Sequence, residues 1–153
     1  MLNNNTVGGG GGAKDDRENF APNADEVVLS LHVASVATGR TCHDRDRTPA
    51  TVALVAANGH VVGSWVLKVA EQVVSYLTPL SGVTQQILNR GTKSLGEVRR
   101  ELSSILAKRG GAERVVFVGQ SPACHLKCLE LAEGTHYKRV IDLAEEFRME
   151  LSK

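Results

Sequence analysis

The stretch "ATVALVAANGHVVGSWVLKV", residues 50–69, decides the fold class. It holds two runs of β-branched and apolar residues on either side of Asn58-Gly59, a dipeptide that is the strongest short signal for a β-hairpin. Upstream, "EVVLSLHVASVA", residues 26–37, alternates in character along its length and predicts a further strand. The polar residues 38–49 between them predict a loop. Three antiparallel strands are therefore expected to begin the domain.

Downstream of the hairpin, the sequence alternates between helical and extended patterns. The longest helix is predicted over residues 94–109, where apolar residues recur at steps of three and four. Ser94 and Glu97 have the spacing of a capping box, and Gly110-Gly111 is typical of a helix end. The other predicted elements are an extended segment over 73–77, a short helix over 84–89, a buried strand over 114–119, a helix over 124–133, and a strand and helix over 138–151.

This order of elements predicts an α/β fold with a mixed sheet. Three antiparallel strands form one edge, and parallel strands connected by helices extend the sheet beyond them. The 153 residues suit one domain. Residues 1–24 form an Asn- and Gly-rich tail that is expected to be disordered, because such a composition buries too little apolar surface to order itself. The folded domain is expected over residues 25–153.

Composition excludes several function classes. The net charge is +1 and charged residues make up 23% of the chain, which gives no general electrostatic case for nucleic acid or membrane binding, although a local basic face stays open. No apolar run approaches the roughly 18 to 20 residues that cross a bilayer, and the N-terminus lacks a secretion or transit signal. Cys42, Cys124 and Cys128 have no metal-ligand spacing and are expected to be reduced thiols of an intracellular protein, cytoplasmic or nuclear.

The connector "EQVVSYLTPLSGVT", residues 71–84, resembles the DEDD 3′–5′ exonucleases. In the branch of the Rex-type RNA exonucleases and the catalytic subunit of the poly(A)-nuclease deadenylase, this segment reads roughly Val-x-Asp-Tyr-x-Thr-x-x-Ser-Gly-Ile. The residues in step with it here are Val73, Tyr76, Thr78, Ser81, Gly82 and Val83. Two later segments, residues 114–131 and 139–147, are similar to the family's Val-Gly-His strand and helix and to its Val-x-Asp-Thr segment. The resemblance implies an RNase H-like exonuclease fold, here C-terminally truncated.

The family's chemistry is phosphodiester hydrolysis with two Mg²⁺ ions held by four carboxylates, assisted by a general base. The positions that the resemblance makes equivalent to those carboxylates are Ser30, His32, His125 and Asp142. One carboxylate of four remains, and no counterpart of the general base precedes Lys153. A single carboxylate cannot neutralise two Mg²⁺ ions, so no intact catalytic residues and no cofactor are expected. The alternative role for Asp142 is to cap the last helix.

Two functions follow from this resemblance. The first is a degenerate exonuclease-like domain, without catalysis, that acts as an RNA- or protein-binding module in RNA processing or mRNA decay. The alternative is an active, deadenylase-like 3′–5′ RNA exonuclease that uses Mg²⁺ or Mn²⁺ and is completed by a partner or a longer form of the chain. A truncated copy without a stable role is a third reading. RNA stays open as a partner, a protein partner or homodimer is expected, and a membrane is not.

The replaced positions also raise a metal hypothesis. Two imidazoles and a carboxylate, from His32, His125 and Asp142, would suit Zn²⁺, Ni²⁺ or Fe²⁺ better than Mg²⁺. The alternative is that the two histidines fill space and form hydrogen bonds. Trp65 and Tyr76 are expected to pack in the core rather than to stack on bases.

Overall fold

A computed structural model describes residues 21–39 and 44–148. Residues 1–20, which hold most of the predicted tail, lie outside this part of the chain, as do Cys42 and residues 149–153. The described residues form a five-stranded sheet with the order β3-β2-β1-β4-β5. Its strands are β1 (Val27–Ala37), β2 (Arg47–Ala56), β3 (Val61–Val66), β4 (Val115–Gly119) and β5 (Arg139–Asp142).

The strand directions confirm the predicted mixed sheet. β1 and β2 pair antiparallel, as do β2 and β3. β4 lies between β1 and β5 and runs parallel to both. The hairpin between β2 and β3 is also confirmed, and its turn follows from two features. Gly59 donates its backbone N–H to the Ala56 carbonyl at 2.9 Å and has a φ of 84°, which glycine adopts without steric cost.

Six helices occur in the described part of the chain, most of them a single turn or little more. They are α1 (Thr78–Ser81), α2 (Gln85–Leu88), α3 (Leu95–Lys108), α4 (Gly111–Arg114), α5 (Ala123–Cys128) and α6 (Leu143–Glu146), and a short 3₁₀ turn covers Asp44–Asp46. The long helix α3 is confirmed with its capping box, in which Ser94 and Glu97 exchange side-chain and backbone hydrogen bonds.

The helix predicted over residues 124–133 is shorter than expected. It ends in a Schellman motif, in which the Leu131 N–H bonds to the Leu126 carbonyl and the Glu130 N–H to the Lys127 carbonyl. Glu130 takes the left-handed conformation at φ 51° that glycine usually occupies in this motif. The sequence carries no Gly at that position, so the pattern gave no stop signal.

The main core lies between one face of the sheet and α3. The apolar face of α3 supplies Val98, Leu102 and Leu106, which are fully buried against a cluster that includes Leu29 and Leu54. Each such side chain contributes about 1.5–3 kcal/mol of burial free energy. Trp65 packs against the same cluster and donates its indole N–H to Glu101 at 2.8 Å. The prediction that Trp65 packs rather than stacks on bases agrees with this position.

A smaller core lies on the opposite face, near the end of β1. Its buried members are Ala34, Val36, Ala50 and Val83, and Tyr76 packs against them. The connector therefore covers this end of the sheet. Nearer the start of β1 the same face is uncovered, and Ser30 and His32 are exposed there.

Candidate functional site

The candidate site lies along the second half of β1, beyond its pairing with β4. Those two strands pair in register from Val27 to Leu29. Past Leu29, α5 packs beside β1 instead of a strand. Ser30 and His32 point from one face of β1 because they are two residues apart. His125, on α5, brings its ring to 5.1 Å from that of His32, measured between ring centroids, with the planes tilted by 58°.

His125 also forms a hydrogen bond with the backbone of β1. Its Nδ1 accepts from the Val33 N–H at 3.2 Å. A ring nitrogen that accepts a hydrogen bond carries no proton, so the neutral imidazole is protonated at Nε2. Burial lowers the pKa of His125, and the neighbouring His32 lowers it further. The site therefore holds His125 as a neutral ring with a fixed tautomer that presents an Nε2–H donor.

This tautomer disfavours metal binding at the histidine pair. A metal-ligating histidine binds the metal through one nitrogen and donates the N–H of the other. The Val33 amide is itself a donor, so His125 would have to give up this bond before Nε2 could become a ligand. Among the residues that the structure describes, no three His, Cys, Asp or Glu side chains lie close enough to hold a metal ion. The two histidines also offer nitrogen atoms in place of the hard oxygen ligands that Mg²⁺ requires.

The Asp142 side chain accepts hydrogen bonds from the backbone. Its Oδ1 accepts from the Ser121 N–H at 2.9 Å and from the Ala144 N–H at 2.9 Å. The second contact caps α6, as the helix-cap reading of this residue predicts. The first holds the turn between β4 and α5, where Ser121 has a left-handed φ of 49°. The structure therefore brings His32 and His125 together and directs the Asp142 carboxylate towards two backbone N–H groups.

Two clefts border the histidine pair. The larger, of about 660 Å³, is lined in the described residues by Val33, Ser35, Arg47, Pro49, Cys124, His125, Lys127 and Cys128. The smaller, of about 150 Å³, is lined by His32, Val33, Ala34, Ser35, Arg47, Leu77, Leu80 and Ser81. They share Val33, Ser35 and Arg47, so they adjoin along β1. The described lining residues include the cations Arg47 and Lys127 and no Asp or Glu.

Comparison with known proteins finds similar RNA exonucleases. No protein-family model matches the chain. RNA exonuclease 5 of Bos taurus is 32% identical over 120 residues, which cover 76% of this chain and 14% of that protein. RNA exonuclease 5 of Homo sapiens is 34% identical over 80 residues, which cover 52% of this chain and 10% of that protein. These relatives support a DEDD exonuclease-like family for the chain. It spans a small part of the length of these relatives.

Solved structures show the same fold for this exonuclease-like domain. The Neurospora crassa Pan2 catalytic unit (protease and nuclease domain) superposes with a TM-score of 0.59 at 19% identity, over 90% of this chain and 22% of that one. The Saccharomyces cerevisiae Pan2 pseudoubiquitin hydrolase–RNA exonuclease module in complex with A7 RNA gives 0.62 at 17% identity, over 86% and 23%. The RNase H-like fold implied by the sequence resemblance is confirmed.

The family-like connector builds one wall of the smaller cleft. Thr78 donates its hydroxyl to the Val83 carbonyl at 2.7 Å, and Ser81 donates to the Tyr76 carbonyl at 2.8 Å. Gly82 has a left-handed φ of 69° at the end of α1. These matched residues thus fold the connector back on itself. The turn presents Leu80, which is 81% exposed, beside the cleft.

Sequence reasoning missed Arg47 and Lys127 as site residues. Arg47 lay within the predicted loop, in the run "HDRDR", and only the pairing of β2 with β1 places it opposite Ala37. Lys127 follows His125 by two residues on α5, which could have served as a signal.

No helix among the described residues has the length and apolar character needed to cross a bilayer. Cys124 and Cys128 are free thiols.

Proposed function

We propose that this exonuclease-like domain binds single-stranded RNA without cleaving it, as a module in RNA processing or mRNA decay. The observation that carries the proposal is a cation in the lining of the larger cleft. Lys127 lies there beside His125, whose neutral ring presents an N–H donor. Cationic side chains neutralise phosphates directly and supply much of the affinity for nucleic acid.

The same donors are a poor substitute for a two-metal centre. Two Mg²⁺ ions bring four positive charges into one pocket and need hard oxygen ligands. His32 and His125 offer nitrogen, and His125 has its Nδ1 occupied by the Val33 N–H. The relatives support the RNA part of the proposal, because they are RNA exonucleases by name and the yeast Pan2 module is in complex with RNA. RNA is therefore the ligand class that we assign to these clefts.

A nuclease assay separates this proposal from an active exonuclease completed by a partner or a longer chain. Single-stranded RNA labelled at its 5′ end is incubated with the protein in Mg²⁺, in Mn²⁺ and in EDTA. We expect full-length RNA in all three conditions and binding that persists in EDTA. Metal-dependent shortening from the 3′ end, abolished by Asp142→Asn, would establish the active enzyme instead. Asparagine keeps an acceptor oxygen for Ser121 and Ala144, so such a loss would not reflect unfolding.

A charge-reversal pair tests whether RNA binds at the larger cleft. Lys127→Glu places a negative charge in its lining and is expected to weaken RNA binding by about tenfold or more, since each lost phosphate contact and each new repulsion lowers the affinity. Lys108→Glu makes the same chemical change on the exposed last turn of α3, away from the clefts, and should change affinity less than about twofold. Equal effects of the two variants would place the RNA elsewhere.

The expected homodimer or protein partner also stays a proposal. Leu143 and Phe147, at α6, are exposed, and Phe147 is 77% accessible. Exposed apolar side chains of this kind are typical of interfaces. Light scattering at micromolar concentration tests the homodimer, and a strictly monomeric species with high thermal stability would count against any obligate partner.

A further inference from the structure

The helix α5 carries two thiols into the larger cleft. Cys124 and Cys128 are both free, and both belong to the described lining of that cleft. They are four residues apart on α5, so they lie on the same side of the helix, about one turn apart. Cys124 is exposed and Cys128 is half-buried. The cleft wall therefore places a solvent-exposed thiol next to a more sheltered one.

The spacing of the two cysteines lets them form a disulfide after a small distortion of α5. The Cα atoms of residues four apart on an α-helix are separated by about 6 Å, which lies within the range of about 4.4–6.8 Å for disulfides. The Cβ atoms are separated by about 5–6 Å, whereas a disulfide needs about 3.5–4.5 Å. Closing the bond must therefore draw the Cβ atoms together by roughly 1–2 Å. This movement falls on a helix of six residues that has no side-chain cap at Pro122.

The surroundings of the two thiols give them different roles. The Cys124 thiol donates to the Ser121 carbonyl at 3.1 Å, and rotation about its χ1 bond releases the sulfur towards Cys128. Burial raises the pKa of Cys128, and the neighbouring Cys124 raises it further. Cys128 therefore stays protonated and sheltered, while the exposed Cys124 is the thiol that a small oxidant in solution meets first.

We propose that Cys124 and Cys128 form a redox-active dithiol that hydrogen peroxide oxidises to a disulfide. In the first step the Cys124 sulfur attacks a peroxide oxygen, the O–O bond breaks, and a sulfenic acid and one water are formed. In the second step the Cys128 sulfur attacks the Cys124 sulfur, and the S–O bond breaks. The departing hydroxyl leaves as a second water with the Cys128 proton. The two thiols lose two electrons and two protons, and the peroxide accepts them.

The disulfide should change the RNA-binding cleft, because the residues between the two cysteines include its polar groups. His125 and Lys127 both line the larger cleft from α5, and a bond from Cys124 to Cys128 encloses them. The hydrogen bond from the Val33 N–H to His125 Nδ1, at 3.2 Å, depends on the position of this helix. We expect oxidation to weaken RNA binding by about threefold or more, since the Lys127 phosphate contact is displaced. This consequence, unlike the bond itself, rests on the RNA-binding function proposed above.

Mass spectrometry of the oxidised full chain tests the dithiol. The chain has three cysteines, so Cys42→Ser leaves only the two on α5, and the wild type is mapped in parallel. After hydrogen peroxide and thiol blocking, we expect one Cys124–Cys128 bond within a chain, reversed by dithiothreitol. Cys128→Ser should instead accumulate a Cys124 sulfenic acid that dimedone traps. Thiols that stay reduced, bonds between chains, a bond to Cys42 in the wild type, or a sulfinic acid without a disulfide would each refute the proposal.

RNA anisotropy in EDTA tests the effect on the cleft. The oxidised protein should bind single-stranded RNA more weakly than the reduced protein, and dithiothreitol should restore the affinity. Cys124→Ser is the matched control and should bind RNA equally before and after peroxide. Equal affinity of the two states, with the disulfide present, refutes the coupling between dithiol and cleft. Absence of RNA binding in both states refutes the proposed function, and the mass measurement then still decides on the dithiol.

Discussion

Replacing Glu26 by Gln is expected to destabilise the fold by about 3 kcal/mol, because this carboxylate ties two strands of the sheet together. The Glu26 side chain is 2% exposed. Its oxygens accept from Lys138 Nζ at 2.7 Å, from Arg139 Nη2 at 2.7 Å and from the Asn23 N–H at 3.0 Å. Glu26 directly precedes β1, Arg139 begins β5, and β4 lies between those strands. The contact therefore links the start of β1 to the start of β5 across β4, in the parallel part of the sheet.

The expected loss of about 3 kcal/mol follows from the burial of Glu26 and the partial exposure of its partners Arg139 and Lys138. Removing one member of a buried ion pair costs about 3–5 kcal/mol, because the remaining charge loses its partner. Arg139 and Lys138 are 25% and 40% exposed and can regain water, so the lower end of that range applies. For a domain of this size, about 1 kcal/mol corresponds to roughly 2–4 °C in Tm. Glu26→Gln should therefore lower Tm by about 6–12 °C.

The same contact predicts acid sensitivity. Hydrogen bonds from Arg139, then Lys138, then the Asn23 N–H hold the pKa of Glu26 far below its usual value of 4.5. Because the pKa is lowered in the folded state, the unfolded chain takes up the proton first as the pH falls. The stabilisation is thus present above about pH 4.5 and is lost below it. Glu26→Gln should remove this part of the acid-induced loss.

Urea unfolding, followed by circular dichroism near pH 7 and near pH 3.5, measures both effects. Glu130→Gln is the matched control, because Glu130 pairs with Arg99 while its side chain is 68% exposed. That exposed pair should contribute less than about 1 kcal/mol. A Glu26→Gln protein within about 0.5 kcal/mol of wild type, or one with unchanged acid sensitivity, would refute this account of the contact.

Three further predictions concern the site and the core. Asp142→Ala should cost about 2 kcal/mol, since both a helix cap and a turn contact are lost, whereas Asp142→Asn should cost less than about 1 kcal/mol in the same urea titration. Burial and the neighbouring His32 lower the pKa of His125, so the folded state is favoured over the unfolded chain above the usual pKa of 6.5 and loses this advantage as the pH falls below it. His125→Phe should therefore weaken the pH dependence of Tm between about pH 7 and 5. Leu102→Ala should cost about 3–4 kcal/mol in urea unfolding monitored by the single tryptophan, because Leu102 is fully buried.

Local sequence signals predicted most of the regular structure. The helix α3 has an apolar period, a capping box at Ser94 and a glycine pair after its end, and all of these signals agree. The hairpin and the buried strand β4 were likewise readable from short patterns. The single-turn helices α1 and α4 were not, because one turn carries no period. The start of α1 also depends on the left-handed conformation of Leu77, which sequence propensity disfavours.

Only part of the candidate site could be predicted from the sequence. The family resemblance supplied His32 and His125 as equivalent positions, and the structure does bring their rings together. It could not supply the bond between Val33 and His125, whose partners are 92 residues apart. Nor could it place Arg47 at both clefts, because that depends on an irregularity in the pairing of β1 and β2 between Ala34 and Ser35. Contacts of this kind arise from the register of the sheet and not from local pattern.

The Asp142 carboxylate has a hydrogen-bonding role that involves no metal ion. Its carboxylate accepts two backbone N–H groups, one in the strained turn at Ser121 and one at the start of α6. The turn sets the direction of α5, and α5 in turn brings His125 Nδ1 to 3.2 Å from the Val33 N–H. Asp142 thus positions the imidazole through the turn without touching it. These two contacts account for an acidic residue at this position without a metal ion.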